Sequence, residues 1–537
     1  MDFSELPTII EKRLLGTDVW KPSAEELKAA AEPFARKTEY GSLAFASNVK
    51  NRSAKVTAVL GSREVASTNH SERQSQIVRN AEKTIEKALA YLRDAPLLSI
   101  ERTMGDNAEF APRCTLLLST YRKECVRLAH LWGETLAVEA PSTPPRLYLI
   151  CIPEWPESDR QVLSLPEQNC VVVLGSDYAG EIKMGFLRTA MWHAKQRGLL
   201  GLHAGSKIVN AVGDDGKKRR YGVLLFGLSG TGKSTHSCHA HGLNREGEGI
   251  EILQDDIVFL KKDGGAFGTE RGFYLKTDSL SPDIQPLLHN AAIQPRAVFE
   301  NVRVDYENCL HFQDVTLTSN ARGVIQFTDL APYAGKSINL PSLDSLDGLL
   351  VLFITRRNTV IPVMSRLTAE QAAATFMLGE SVETSAGDPT QAGKSLRVVG
   401  TNPFIIGDPS LEGNYFYDFV KKHGSNVQCF LMNTGGLGEV RNSGVIERKS
   451  RRITIPEMAS VIRALVRDQI RWTPEPLFGM QVPEKVEGVD DAFFNALAHY
   501  SKEDALKLAS QMKKERAEHL KKFKKLNPVI GNQSLSG

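Results

Sequence analysis

The sequence predicts an α/β protein with two large lobes, and three observations support that prediction. A phosphate-binding pattern, G-x-x-x-x-G-K-[ST], begins at Gly227 and directly follows the apolar, strand-like run 221–226. Other short apolar runs, bounded by Pro or Gly, alternate with helical patterns along the chain. The length of 537 residues, of which 42% are hydrophobic, exceeds what one hydrophobic core normally covers. We therefore expect two cores, with a strand–loop–helix unit around residue 227.

The individual elements follow from periodicity and from helix-start signals. Helical patterns, the first opened by a capping box at Ser23, lie at about 23–38, 71–93, 183–197 and 501–525. Short apolar runs predict strands at 146–152, 170–174, 221–226, 349–354 and 428–432. The last helix is rich in lysine, which is typical of a solvated amphipathic face. Because the phosphate loop begins the second lobe, we divide the chain into an N-terminal substrate-side lobe, 1–205, and a C-terminal nucleotide-binding lobe, 206–537.

The glycine-rich pattern predicts a site for a nucleoside triphosphate. Its glycines let backbone N–H groups turn inward around a polyphosphate, while Lys233 supplies a point charge and Ser234 a hydroxyl group for a bound Mg²⁺. A glycine-rich turn without a ligand is the alternative, but the strand before it and the helix after it favour the nucleotide. The residues assigned to the nucleotide by this pattern are Gly227, Leu228, Ser229, Gly230, Thr231, Gly232, Lys233, Ser234 and Thr235.

Two adjacent carboxylates, Asp255 and Asp256, end another apolar strand that begins at Gly249. Neighbouring side chains on an extended chain point to opposite faces, so the two acids can serve different sites. We expect one to reach the Mg²⁺ of the nucleotide and the other a second metal ion. Residues 257–262 predict a further strand and 263–265 a hairpin turn, which indicates a mostly antiparallel neighbourhood.

Composition narrows the class of protein and its partners. The net charge of +3 is small for this length and does not favour nucleic acid as a partner. Seven cysteines, none in a C-x-x-C pair, indicate reduced thiols inside a cell. The first residues carry no signal-peptide pattern, and no apolar run approaches the length of about 18 residues that spans a membrane. We expect a cytoplasmic enzyme that acts on a small molecule, without a membrane partner.

From about residue 52 to about residue 452, the chain resembles the ATP-dependent phosphoenolpyruvate carboxykinase family. The order and spacing of several motifs carry this resemblance: Tyr178-Ala-Gly-Glu-Ile-Lys183, His203, Gly227-Leu-Ser-Gly-Thr-Gly-Lys-Ser234, Asp255-Asp256, Glu270-Arg-Gly-Phe-Tyr-Leu-Lys276, Glu300-Asn-Val-Arg-Val-Asp305 and Asn433-Thr-Gly435. The resemblance implies a two-lobed α/β fold with the P-loop in a mixed-sheet C-terminal lobe, present as a monomer or small homo-oligomer.

The resemblance also implies a reaction and residue roles. Oxaloacetate and ATP would give phosphoenolpyruvate, CO₂ and ADP, with Mg²⁺ on the nucleotide and Mn²⁺ at a second site. Substrate binding would fall to Arg52, Tyr178, Lys183 and Arg322, and the metal ligands would be His203, Ser234, Asp255 and Asp256. Catalytic roles would fall to Lys183, Lys233, Asp255 and Arg322, while Lys276 and Glu300 would join the nucleotide site.

The chain departs from the family pattern on the substrate and metal side. Met184 stands where the family has a second lysine that completes the second metal site, and a thioether is a poor ligand for Mg²⁺ or Mn²⁺. Three functions therefore stay open: a carboxykinase with a modified metal site, a P-loop kinase acting on another small molecule or a protein, and a nucleotide-binding regulator without turnover.

The histidine-rich stretch 236–241 contains residue types that bind metal ions. No second group of such residues follows it at the spacing of a zinc site, so we expect the stretch to be structural.

Overall fold

The computed structural model describes residues 2–51, 53–66, 71–138, 140–157, 160–228, 230–382, 395–442 and 445–532. Its α-helices are α1 (Leu6–Leu14), α2 (Ala24–Ala31), α3 (Glu72–Tyr91), α4 (Val126–Gly133), α5 (Ala179–Gln196), α6 (Lys233–Ser237), α7 (Pro286–Ala292), α8 (Ala369–Leu378), α9 (Ser410–His423), α10 (Ile455–Val466), α11 (Lys502–Leu520) and α12 (Pro528–Asn532).

The strands of the first half of the chain are β1 (Val19–Trp20), β2 (Arg36–Lys37), β3 (Leu43–Phe45), β4 (Thr57–Val59), β5 (Leu97–Thr103), β6 (Pro112–Ser119), β7 (Thr143–Ile152), β8 (Gln161–Leu165), β9 (Cys170–Leu174), β10 (Leu200–Val212), β11 (Lys218–Phe226), β12 (Gly249–Gln254), β13 (Ile257–Leu260) and β14 (Ala266–Gly268). Those of the second half are β15 (Gly272–Lys276), β16 (Val298–Glu300), β17 (Arg303–Val304), β18 (Leu310–His311), β19 (Arg322–Gln326), β20 (Gly348–Thr355), β21 (Met364–Leu367), β22 (Glu380–Val382), β23 (Ser395–Arg397), β24 (Val427–Asn433), β25 (Gly436–Leu437), β26 (Val440–Asn442), β27 (Val445–Arg448), β28 (Arg451–Arg452), β29 (Trp472–Pro474) and β30 (Gln481–Pro483).

The chain divides into two compact units. The first comprises residues 1–201, 267–332 and 404–408, and the second comprises 202–266, 333–403 and 409–537. The sequence predicts a single boundary after residue 205, so the two divisions differ over 202–205, 404–408 and, most extensively, 267–332. The reason is strand pairing, because β16 runs parallel to β3 and joins it to β19 and β15 in one sheet. Three strands from the middle of the chain therefore complete a sheet begun near the N-terminus.

The first unit contains two large sheets and the two-stranded sheet β17-β18, and helix α3 covers one of the large sheets. The larger sheet has the strand order β1-β5-β6-β7-β9-β8-β4, and the smaller has β15-β19-β16-β3-β2. Helix α3 buries one apolar face, with Ile77, Ala81, Ile85 and Ala88 at spacings of three or four residues. These residues share a core cluster with β7 and β9 side chains such as Ile150. The predicted helices at 71–93 and 183–197 and the strand at 170–174 are confirmed.

The second unit is built on a mixed sheet whose central strands are parallel. The strands of this sheet lie in the order β14-β13-β10-β11-β20-β24-β21-β30-β29, and β12 also pairs with β10. Strands β11, β20 and β24 are parallel, whereas β10 is antiparallel to both β11 and β12. Phe226, the last residue of β11, packs against Phe353, Phe376 and Phe416. This aromatic cluster fixes the end of β11, where the glycine-rich loop begins.

Two sequence expectations are modified by the structure. The helix that begins at Ser23 was expected to reach about residue 38, but α2 ends at Ala31 and a 3₁₀ turn follows, since Pro33 has no N–H group to continue the helical ladder. The lysine-rich terminal helix α11 is not solvated all round, because Arg516 on it is buried. All seven cysteines are free in the structure. Within the described residues, no helix has both the length and the apolar character needed to cross a membrane.

Candidate active site

The glycine-rich loop links the buried strand β11 to the short helix α6, as the sequence predicts. Gly230 and Gly232 have φ angles of +80° and +103°, which side chains rarely tolerate. A Cβ atom at Gly227 would collide with Oγ1 of Thr231. The glycines are therefore required by the backbone path, whereas Ser229 lies outside the described residues.

The motif Asn433-Thr-Gly435 supports this loop from the end of β24. Oγ1 of Thr434 lies 2.7 Å from the carbonyl oxygen of Thr231. Asn433 accepts hydrogen bonds from the backbone N–H groups of Arg357 and Gly435, at 2.9 and 3.0 Å, which fixes the turn that carries Thr434. The motif at the end of β24 thus holds the glycine-rich loop in place through Thr434.

The acid pair contacts the first turn of α6, with each acid facing a different partner. Oγ of Ser234 lies 2.9 Å from Oδ2 of Asp255, and Nζ of Lys233 lies 2.9 Å from Oδ1 of Asp256. The two carboxylates thus have different protein partners, and the two metal ions expected at them stay a prediction. A hydroxyl beside one carboxylate is a donor set that suits a hard divalent cation.

His203, on β10, lies on the other side of Asp256. Its Nε2 atom is 3.0 Å from Oδ1 of Asp256, and its Nδ1 atom is 2.6 Å from the carbonyl oxygen of Thr401. Since a carbonyl only accepts, Nδ1 must donate, and Nε2 then faces a carboxylate. Burial and the charge of Lys233 lower the pKa of His203, which disfavours the doubly protonated ring. A cation between Nε2 and Asp256 relieves this conflict, so the two side chains fit a metal ion.

The expected second metal site has few candidate protein ligands in this structure. In the part of the chain that the structure describes, no three His, Cys, Asp or Glu side chains form a metal-binding group. His203 and Asp256 are therefore a two-ligand set. Met184, which stands where a lysine ligand is expected, lies half-buried on α5.

In the first unit, three residues predicted to bind substrate gather around Tyr274 and Asn320. The guanidinium group of Arg322 and the ammonium group of Lys183 each lie 5.5 Å from the centre of the Tyr274 ring. Asn320 accepts a hydrogen bond from Nη2 of Arg322 at 2.7 Å and donates one to the hydroxyl oxygen of Tyr178 at 3.1 Å. The structure therefore brings Tyr178, Lys183 and Arg322 together, while Arg52 lies outside the described residues.

Lys183 also forms a buried ion pair. Its Nζ atom is 3.0 Å from Oε2 of Glu270, and both side chains are almost completely buried. A buried ammonium group needs such a partner to stay charged. Glu270 thus keeps Lys183 cationic and fixes its position on α5.

Strand register brings Lys276 and Glu300 level with Arg322. Lys276 pairs with Arg322 across β15 and β19, and Glu300 pairs with Arg322 across β16 and β19. Directly opposite residues share one face of a sheet, so the three side chains are neighbours. Nζ of Lys276 lies 2.9 Å from Oδ2 of Asp278.

The geometry does not support the expected nucleotide contact for Glu300. Its side chain is fully buried, and it bonds to Arg127 at 3.2 Å and to the backbone N–H of Ala179 at 3.1 Å. Burial raises the pKa of Glu300 to about 7. Since its oxygens face internal partners, Glu300 supports the start of α5 instead.

Arg127 extends this support to a loop of the substrate side. Its Nη2 atom lies 3.0 Å from Oδ2 of Asp177, and Asp177 accepts hydrogen bonds from the backbone N–H groups of Asn48 and Val49. Sequence reasoning missed Arg127, Tyr274 and Asn320. Tyr274 lies inside the motif 270–276, and Asn320 lies two residues before the assigned Arg322, and these positions are the signal that could have found them. Arg127 lies in an apolar helix that carries no motif.

A glycine-rich loop between a buried strand and a short helix, beside an acid pair, is the arrangement typical of the P-loop class of nucleotide-binding proteins. Comparison with known proteins narrows this class. Residues 18–492 match the family model described as phosphoenolpyruvate carboxykinase, in its ATP-dependent form. The chain therefore belongs to the ATP-dependent phosphoenolpyruvate carboxykinase family, a family of enzymes, and the expected fold class is confirmed.

Individual relatives agree with this family assignment. The chain is 38% identical over 370 residues to phosphoenolpyruvate carboxykinase (ATP) of Aeropyrum pernix, covering 68% of this chain and 69% of that protein. It is 27% identical over 476 residues to phosphoenolpyruvate carboxykinase (ATP) 1 of Moorella thermoacetica, covering 85% and 84%. The chain is 28% identical over 373 residues to phosphoenolpyruvate carboxykinase (ATP) of Bacillus mycoides, covering 68% of this chain and 65% of that protein.

Proposed function

We propose that this protein converts oxaloacetate and ATP to phosphoenolpyruvate, CO₂ and ADP. Family membership supports this reaction. The structural observation that supports this reaction is a cluster of three side chains, Tyr178, Lys183 and Arg322, which lie around Tyr274 and Asn320. Cationic groups and hydroxyl groups suit a dicarboxylate such as oxaloacetate. The seven unpaired cysteines support a cytoplasmic location.

The P-loop would hold the triphosphate of ATP. Its backbone N–H groups would surround the phosphate oxygens, and Lys233 would exchange its contact with Asp256 for the γ-phosphate. Ser234 and Asp255 would hold a Mg²⁺ ion on the nucleotide, which their 2.9 Å separation supports. Lys233 would then neutralise the charge that moves with the transferred phosphoryl group.

Lys183, Arg322 and Tyr178 would bind oxaloacetate and its enolate. Arg322 presents a planar fork of donors that matches a carboxylate or a phosphoryl group bidentately. Lys183, kept charged by Glu270, would stabilise negative charge as it develops on the substrate. Arg52 stays a predicted substrate contact from its sequence motif.

His203 and Asp256 would hold a second divalent ion, for which we propose Mn²⁺. The imidazole donates through Nδ1 to Thr401, which leaves the Nε2 lone pair for the ion. Such an ion would supply positive charge that stabilises the enolate. Because Met184 cannot replace a lysine ligand, we expect water to complete the coordination and the ion to bind weakly.

The bond changes set what the side chains must do. The bond between the methylene carbon of oxaloacetate and its carboxylate carbon breaks, and CO₂ leaves. The electron pair of this bond forms the C=C double bond, and the π pair of the carbonyl group moves to its oxygen to give an enolate. The enolate oxygen then attacks the γ-phosphorus of ATP in line, and ADP leaves with the electrons of the broken P–O bond. Lys183 and Arg322 must therefore hold an anion whose charge moves from a carboxylate to the enolate oxygen and then to the phosphoryl group.

The proposal is tested by measuring ATP consumption with and without oxaloacetate. We expect consumption to depend on oxaloacetate, and Lys233→Ala to abolish it. Consumption that ignores oxaloacetate but responds to a different acceptor would instead indicate a P-loop kinase on this scaffold. ATP binding without any consumption would indicate a nucleotide-binding regulator.

A further inference from the structure

Lys207 is a fully buried lysine close to the P-loop helix, and no motif assigns it a role. It lies on β10, opposite Val223 of β11, the strand that leads into the glycine-rich loop. Strand β10 packs tightly behind α6, because a Cβ atom at Gly205 would collide with Oγ of Ser237. Lys207 therefore reaches α6 from the strand behind it.

The ammonium group of Lys207 bonds to the end of α6 and to the chain that follows. Nζ donates to the carbonyl oxygens of His236 at 2.6 Å and His239 at 3.1 Å, and it lies 3.3 Å from Nδ1 of His241. Among the described residues, its hydrogen-bond partners include no carboxylate. Burial lowers the pKa of Lys207 to about 7. A buried ammonium group without an acid is costly, so its retention calls for a specific use.

These contacts complete the last turn of a very short helix. The carbonyl groups at the C-terminal end of a helix have no partner within the helix, and a positive charge there stabilises it. Helix α6 has only five residues, from Lys233 to Ser237, so a carbonyl group bound by Lys207 lies just one turn from Lys233 and Ser234. A displacement of this end would move both residues that face the phosphates.

The histidine-rich stretch 236–241 contacts the ammonium group of Lys207. His236 stacks on His241, with ring centres 5.8 Å apart, and burial lowers the pKa of both rings. Neutral rings avoid repulsion with a buried ammonium group. His241 has a φ angle of 55°, and its backbone N–H bonds to Nδ1 of His239. The stretch therefore places two carbonyl oxygens and one ring nitrogen around Nζ of Lys207.

We propose that Lys207 is a positioning residue of the ATP site: its ammonium group acts as a tethered cation that holds α6 and residues 236–241 in place, and thereby sets Lys233 and Ser234 for the phosphates. This inference rests on the proposed function, because it concerns the same ATP site. This positioning role requires the charge of Lys207, so a neutral side chain of the same volume should not replace it.

The experiment compares Lys207→Met, which keeps the volume and removes the charge, with the matched control Lys217→Met, an exposed lysine beside the start of β11. Binding of Mg²⁺ and a non-hydrolysable ATP analogue is measured by calorimetry, with thermal unfolding to verify folding. We expect Lys207→Met to weaken analogue binding or lower kcat/KM for ATP by about 10- to 100-fold, because a small misplacement near the chemistry has effects of that size. The control is expected to match the wild type.

A second variant separates charge from packing. Lys207→Ala removes the atoms that n-propylammonium can replace, and n-propanol is its neutral counterpart. We expect n-propylammonium to restore analogue binding and turnover and n-propanol to restore neither. Equal effects of the two molecules, or no rescue by either, would overturn the proposal, as would unchanged binding and turnover in folded Lys207→Met.

A third variant keeps the proposal testable if Lys207 variants fail to fold. His241→Asn tolerates the positive φ angle and removes the ring nitrogen that faces Nζ. We expect a weaker effect of about 2- to 5-fold on analogue binding or on kcat/KM for ATP, in line with loss of one hydrogen bond. Unchanged values would overturn the proposal. Failure of the wild type to bind the analogue would contradict the proposed function itself, and this inference with it.

Discussion

Lys276 and Arg322 lie directly opposite each other on the antiparallel strands β15 and β19, so two cationic side chains share one face of a sheet. Like charges in this arrangement ordinarily destabilise a sheet. Here Asp278 pairs with Lys276, and Asn320 and the Tyr274 ring engage Arg322. The arrangement suits an anionic ligand, which would offset the repulsion between the two cations.

We expect Arg322→Gln to impair use of oxaloacetate more than binding of ATP. The amide keeps a polar group but loses the charge and the forked donors, so kcat/KM for oxaloacetate should fall by about 10²- to 10³-fold. Steady-state kinetics and calorimetry with an ATP analogue measure the two effects separately. Arg303→Gln, at a half-exposed arginine of the same unit, is the control and should retain wild-type kinetics. Equal kinetics for the two variants would remove Arg322 from the substrate site.

Lys233→Ala should abolish nucleotide-dependent activity in a folded protein. Removal of one preorganised charge at a transferring phosphoryl group lowers the rate by about 10²- to 10³-fold. The measurement is oxaloacetate-dependent ATP turnover, combined with a thermal unfolding curve. Near-wild-type turnover in this variant would contradict a catalytic role for the P-loop.

Met184→Lys should tighten Mn²⁺ binding and raise the rate of phosphoenolpyruvate formation. In the family pattern, a lysine at this position completes the second metal site, and an additional ligand fixes the ion more firmly. Mn²⁺ affinity by electron paramagnetic resonance and the rate across Mn²⁺ and Mg²⁺ concentrations test this expectation. Met184→Leu, which adds no ligand, should behave as the wild type. No gain in affinity from the lysine would mean that residue 184 does not border the metal.

Glu380→Gln should destabilise the second unit. Glu380 bonds to the guanidinium groups of Arg357, Arg397 and Arg516 at 2.7 to 3.1 Å, and all four side chains are largely buried. Removal of the carboxylate charge leaves three buried cations without their shared partner, which typically lowers the free energy of unfolding by about 3–5 kcal/mol. Denaturant unfolding measures the change, and Glu246→Gln, at an exposed site, is the control.

The same glutamate predicts a pH dependence with a definite sign. Burial alone raises the pKa of Glu380, but the charges of Arg516, Arg357 and Arg397 outweigh burial and hold its pKa well below 4.5. The carboxylate therefore contributes its full stability above about pH 4.5 and loses it as the pH falls further. The difference in unfolding free energy between wild type and Glu380→Gln should be constant near neutral pH and shrink in acid. A difference that grows in acid would contradict this assignment.

The sequence was most informative where local chemistry dictates structure. The P-loop could be predicted because its glycines and the strand before it have only one common use, and Phe226 indeed ends that strand. The two acids after β12 could be assigned to different partners because side chains alternate along an extended chain. In the structure Asp255 contacts Ser234 and Asp256 contacts Lys233, while the two metal ions expected at these acids stay a prediction.

Contacts between distant segments could not be predicted in the same way. The pairing of β16 with β3 depends on strands far apart in the chain, and it moves residues 267–332 into the first unit. Tyr274 and Asn320 become significant only once Lys183 and Arg322 lie beside them. The burial of Lys207 and Arg516 could not be predicted from the sequence, because a lone lysine in a strand or an arginine in a charged helix is ordinarily solvated.

The central claim is tested most directly by the products that the wild-type protein forms from ATP and oxaloacetate with Mg²⁺ and Mn²⁺. ³¹P nuclear magnetic resonance distinguishes phosphoenolpyruvate, ADP and inorganic phosphate in one reaction. We predict phosphoenolpyruvate and ADP in equal amounts, formed only when oxaloacetate is present, and no reaction with Lys233→Ala. ADP and inorganic phosphate without phosphoenolpyruvate, at every metal concentration and with the nucleotide bound, would contradict the carboxykinase function.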